Sequence, residues 1–207
     1  VYAQMTTFSV SQAQSLDRRL GPSFVIPAGS LTVFFVGSIL LTVPIYDRLI
    51  APLARRLTGN PQGLSPLQRI FVGLFLSILA MVVAGLTERH RLSASTAGVQ
   101  LSVFLIVPQF LLVGAGEAFT YIGQLDFFYG QAPAAMKTVC TALGLLAITA
   151  GGYLSSFLLT AVQWATTTGG APGWIPDDLN EGHLDRFFWM MAGLGCLNLI
   201  AFGSCAR

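Results

Sequence analysis

Glu117 is the residue of this chain best placed to do chemistry, because it is an acid in the middle of an apolar stretch, FLLVGAGEAFTYIG. An ionised carboxylate at the centre of a bilayer costs roughly 2.5–3.5 kcal/mol even on the mildest insertion scale, so it should face a wet cavity or a basic partner. In such surroundings low polarity favours the neutral acid and a nearby cation favours the carboxylate, a balance that suits a proton-sensitive gate. Gly114, Thr120, Tyr121 and Gln124 share its face at helical spacing and extend it into a polar stripe. A structural hydrogen bond between helices is the plainer reading; the rarity of intramembrane acids favours a pathway.

The opening of the chain is the second candidate. Tyr2, Gln4, Thr6, Thr7, Ser9, Ser11 and Gln12 crowd into an otherwise apolar helix. Tyr2, Thr6 and Ser9 fall on one face and predict the wall of a pore or substrate cavity. Hydroxyls bonding their own backbone explain several of these residues but not Tyr2 and Gln4. A third group, Asp47-Arg48 with Arg55-Arg56, sits at a helix end on the way to the next apolar run, where interfacial anchoring competes with a conformational role. His90 and His183 read as residues of polar connections. Asp177, Asp178, Glu181 and Asp185 read as solvated caps, with no Gly-rich cradle or metal spacing beside them.

Enzyme chemistry finds no candidate set. Tyr46-Asp47 and Gly114-Ala115-Gly116-Glu117 echo the paired motifs of intramembrane aspartyl proteases. However, Asp47 lies at the membrane edge beside an arginine, the second motif ends in Glu, and an extra span intervenes. No Ser/His/Asp or Cys/His set shares a depth. Cys140, Cys196 and Cys205 are odd in number and read as small apolar filler, without disulfide or metal spacing.

The elements that hold these residues are membrane helices. Of 207 residues 54% are hydrophobic and only 10% charged, with a net charge of +2, and the mean hydropathy is +0.69. A soluble domain carries about 25% charged residues. The composition excludes a cytosolic enzyme, a disordered tail and a nucleic-acid module, the last also for want of a basic patch. A span needs roughly 20 apolar residues. The charges punctuate the chain into a partial helix at 1–16 and about five spans near 24–46, 67–87, 101–128, 138–162 and 187–206. Pro27 and Pro66 stand where helices can begin. Pro44 and Pro108 fall inside spans, where a kink is tolerable. Ala147, Gly151 and Ser155 form a small-residue stripe open to a close neighbour. The fold class expected is an all-α integral membrane bundle, cut from something longer. Arginines and lysines divide six to five between the two sides, which leaves orientation undecided.

At this point the wording of the sequence becomes specific. The runs YAQMTTFSVSQAQSLDR, IPAGSLTVFF, YDR, GEAFTYIGQLDFFYGQAP followed by MK, and WIPDDLN with a later LDRFFW occur in order along essentially the whole chain. They resemble the plant nitrate/peptide transporter family, proton-coupled oligopeptide transporters of the major facilitator superfamily, most closely its nitrate transporter subgroup. The resemblance implies a C-terminal six-helix bundle, from within the seventh helix to the twelfth, with both its ends and the 47–69 connection cytoplasmic. It implies that Asp47, Arg48, Arg55 and Arg56 form the charged segment that latches neighbouring helices, and that Glu117 is the gate acid facing a lysine in the other half. Tyr2 and Thr6 match substrate-facing positions, with Glu117 and Tyr121 beside them. Nitrate carriers have a histidine where this chain has Tyr2. Peptide carriers have Ser-Pro after the Gly-Glu step where this chain has Thr120-Tyr121, which argues against peptides. The function implied is proton-coupled uptake of nitrate, with chloride also possible, by alternating access at the plasma membrane. Another small substrate such as a hormone or peptide, or a sensor or channel-like role, is the alternative. Partners implied are a small anion, protons, membrane lipids and the preceding six-helix half; a homodimer stays open, and no cofactor is expected.

Overall fold

The computed structural model describes residues 2–20, 24–58, 63–97, 101–133, 136–167, 173–175 and 182–206, the side chains of residues 6, 20, 24, 57 and 58 excepted. Helix α1 (Tyr2–Gln14) leads into two-residue strands β1 (Arg19–Leu20) and β2 (Phe24–Val25), paired antiparallel. Then come α2 (Thr32–Ile45), a π-helical segment Tyr46–Ile50, α3 (Ala51–Thr58), α4 (Pro66–Thr96), α5 (Val107–Gln131), α6 (Lys137–Thr166) and α7 (Leu184–Cys205). Five continuous helical runs are long and apolar enough to cross a membrane: Ala28–Arg56, Pro66–Thr96, Val103–Gln131, Lys137–Thr166 and Leu184–Cys205.

Local chemistry sets the helix ends. Ser65 and Gln68 form a capping box: Gln68 N–H donates to Ser65 Oγ at 3.3 Å, and Ser65 N–H donates to Gln68 Oε1 at 2.9 Å. With Pro66 in the first turn, two orphan donors and a donor-free residue start α4 together. Pro108 also sits in a first turn, that of α5, behind the short 3-10 turn Val103–Ile106. It therefore needs no kink, contrary to its expected place inside a span. Pro44 does lie within α2. It removes one backbone donor, and the helix passes into π register two residues later. Helix α4 runs on through Glu88 to Thr96 because Glu88 and Arg91 neutralise each other one turn apart.

Packing relies on small residues. A Cβ on Gly73 of α4 would lie 2.7 Å from both the Gly116 carbonyl oxygen and the Thr120 nitrogen of α5. Gly114 likewise admits Phe35 and Ser38 of α2, and Ser38 Oγ donates to the Leu111 carbonyl at 2.6 Å. Helix α7 docks on α4 through Gly85 against Trp189 and Gly195 against Ile78. The core joins Met5 and Phe8 of α1 to Met81, Phe110, Phe187 and Phe188. Helix α6 is the outlier, with Tyr153, Phe157 and Trp164 exposed. Its close approach is at Gly144, whose carbonyl accepts from Gln124 Nε2 at 3.2 Å; Ala147 and Gly151 face open space, and only Ser155 of the expected stripe is engaged. Gly73→Ala should destabilise the α4–α5 contact by about 1–3 kcal/mol, because backbone rather than a flexible side chain must give way. A lower thermal midpoint of the full-length protein in detergent checks this.

Candidate functional site

The polar residues of α1 sort onto two faces. Tyr2 is 45% exposed and rests its ring on Phe35 of α2, centroids 5.3 Å apart. Gln4 is buried and turned to α6, where its Nε2 donates to Ser155 Oγ at 2.6 Å and to the Ser155 carbonyl at 3.0 Å. Ser9 is buried against Gln109 and so leaves the wall expected of Tyr2, Thr6 and Ser9. The side chain of Thr6 lies outside the described residues.

The stripe around Glu117 divides in the same way. Gly114 seats α2, Thr120 packs on Gly73 of α4, and Gln124 bonds α6. Glu117 stays half-buried and Tyr121 is 42% exposed, so these two carry the polar character toward the open surface of the bundle. Phe35 links the groups: its ring meets Tyr2 and its carbonyl oxygen abuts Gly114, one helical turn from Glu117. Two aromatic hydroxyls and a carboxyl can offer hydrogen bonds and a proton to a small polar molecule there, but no fixed positive charge.

At the far end of α2, Asp47 and Arg48 stand exposed in the π-helical segment and Arg55 and Arg56 exposed in α3. The sequence suggested a connection there; the structure gives a helix that continues past Tyr46. The ion pair at this end of the bundle is instead Arg69 Nη1 with Asp126 Oδ2 at 2.5 Å, and the Arg69 guanidinium also lies 4.9 Å from the Tyr46 ring centroid. Arg69 and Asp126, with Lys137 and Tyr129, line an open cavity of about 910 Å³.

A second cluster escaped sequence reasoning. Arg91 and Glu88 form a two-pronged pair inside the bundle, Nε to Oε2 at 2.9 Å and Nη2 to Oε1 at 2.7 Å. Gln12 Nε2 of α1 donates to the same Oε2 at 2.7 Å. The signal available was an acid and a base three residues apart directly after an apolar run, in TERHR. Of the acids read as caps, Asp177, Asp178 and Glu181 lie outside the described residues, and Asp185 stands in the first turn of α7, 3.8 Å from His183 Nδ1. Cys140, Cys196 and Cys205 are unpaired.

This is a multi-pass helical membrane bundle that keeps an acid on an open face. The profile of the POT family matches residues 1–175. Protein NRT1/ PTR FAMILY 8.2 and Protein NRT1/ PTR FAMILY 6.2 of Arabidopsis thaliana are 49% and 50% identical to it over 98% and 99% of its length. A crystal structure of an auto-inhibited POT family peptide transporter superposes with a TM-score of 0.73 at 25% identity, over all of this chain and 39% of that one. The chain belongs to the POT family, and its fold is that family's, of the major facilitator type. It covers 37% and 36% of the two plant relatives, so it spans little more than a third of their length.

Proposed function

We propose that this chain is the C-terminal six-helix bundle of a proton-coupled carrier that takes up nitrate, and admits chloride, by alternating access at the plasma membrane. The observation that supports the reading is the chain of contacts from Tyr2 through Phe35 to Gly114, one helical turn from the half-buried Glu117. In this scheme two bundles rock about a midplane cavity. Tyr2 and Thr6 form the substrate wall on this side, with Tyr121 beside Glu117. Glu117 meets a basic partner from the preceding half and opens or closes the inner gate with its charge. The exposed Asp47, Arg48, Arg55 and Arg56 pair with the neighbouring half in one conformation and release it in the other.

A peptide substrate is the second reading, because the solved neighbour is described as a peptide transporter. Tyr121 in place of the proline of peptide carriers weighs against it. Uptake of isotopically labelled nitrate and of a labelled dipeptide by the full-length protein in oocytes at acidic external pH tests the choice. Nitrate accumulation above the water-injected control, without dipeptide accumulation, is the expected result. Dipeptide uptake alone overturns the nitrate assignment. Neither flux, with a change in nitrate-dependent signalling, assigns the protein as a sensor.

A further inference from the structure

The Glu88–Arg91 cluster has no part in the mechanism above, yet it is the most deeply enclosed charge in the described bundle. The side chain of Glu88 is 0% exposed and that of Arg91 4%. Removing one member of a buried pair strands the other charge, while replacing both with apolar residues is often harmless, so such a pair is weak support for a stabilising purpose. Its best-attested use is to fix register. The surrounding hydrogen bonds fit that use, because they cross helices. The Glu88 carboxylate accepts from Arg91 on its own helix and from Gln12 on α1. Gln109 Nε2 of α5 donates to Gln12 Oε1 at 3.2 Å and to Ser9 Oγ at 3.1 Å. Gln12 therefore donates to one helix and accepts from another, with both ends of its amide occupied.

The rest of the α1 interface holds it less specifically. Met5, Phe8, Ala13 and Leu16 are buried in apolar contact, and such contact has no preferred direction. A slip of one residue turns a helix face by about 100°, enough to carry Tyr2 away from Phe35. Gln4 bonds α6, the helix that leaves Tyr153, Phe157 and Trp164 exposed and so is a loose anchor.

We propose that Gln12, held by Glu88–Arg91 and Gln109, is a positioning residue that fixes the rotation and height of α1, and so decides which of its side chains face the cavity. The consequence for transport rests on the assignment of Tyr2 to the substrate; the positioning itself does not.

The test uses the full-length protein with its native cysteines changed to serine. Single cysteines replace Thr7, which is exposed, or Met5, which is 1% exposed. The probe is a membrane-impermeant methanethiosulfonate. With Gln12 intact, Thr7→Cys should react at least about tenfold faster than Met5→Cys, the contrast between an open face and one reached only by local opening. Gln12→Leu, similar in size but without the amide, should collapse that contrast. If Gln12→Leu does not reach the membrane, Gln12→Asn, one methylene short, supplies the same comparison. A contrast that persists in both single variants, with only surface abundance reduced, overturns the proposal and leaves a simple stabilising contact. A lost contrast with an unchanged KM for nitrate supports the positioning role and removes the substrate role of Tyr2 instead.

Discussion

Glu117→Gln in the full-length protein should abolish uptake driven by an inward proton gradient while the protein still reaches the membrane. Glutamine keeps the shape and the hydrogen-bonding capacity of the side chain but can neither release nor take up a proton. Glu117 stands on the open side of α5, with Gly114 and Thr120 committed to neighbouring helices, so the substitution disturbs no packing seam. In the proposed gate the lost charge removes the pairing with the basic partner, so uptake should fall to the level of the water-injected control. The measurement is uptake at acidic and at neutral external pH, normalised to surface protein. Wild-type uptake at both values would sink the gate assignment.

The second large effect is expected at Tyr2. A histidine there can carry a proton in mildly acidic medium and present a positive charge to an anion. Tyrosine offers one neutral hydroxyl. Nitrate is planar with three acceptor oxygens, and a hydrogen bond to a charged donor is worth about 1.5–3 kcal/mol. The wild type should therefore bind nitrate on the order of ten- to a hundredfold more weakly than a histidine-bearing carrier. The structure makes the exchange a mild one, because Tyr2 is largely exposed and the Phe35 ring beneath it can receive an imidazole equally well. Tyr2→His should raise the nitrate-to-chloride uptake ratio at acidic pH. An unchanged ratio in paired uptake measurements would show that this side chain does not face the anion, and the substrate would then rest on family resemblance alone.

How far the sequence could be read depended on whether a signal was local. Glu117 announced itself because an acid inside an apolar run is costly wherever the helix lies. The start of α4 at Pro66 was legible because a first-turn proline is a rule about neighbours in sequence. Gln4, Ser9 and Gln12 were read together as cavity residues because polarity says that a side chain needs partners, not where they are. Three of them found partners 151, 100 and 76 residues away. Glu88 and Arg91 taken singly each mark the end of a span; paired, they allow the helix to continue. Pro108 was misplaced by a few residues, since hydropathy cannot distinguish a 3-10 turn from the helix it introduces. Asp47, Arg48, Arg55 and Arg56 are exposed, so the role proposed for them rests on contacts that no local signal in this chain describes.

The continuity of Ala28–Arg56 has a mechanical meaning. Twenty-nine helical residues make a rod about 43 Å long, against an apolar bilayer core about 30 Å thick. Held upright, roughly a third of the rod stands clear of the hydrocarbon, and its last turns carry Arg55 and Arg56 while Ala51 and Ala54 stay buried. Pro44 and the π-helical turn that follows divide the rod, and a bend there swings the segment beyond. A change in the fit of α2 at Gly114 would therefore be taken up at this joint before it reached the two guanidinium groups.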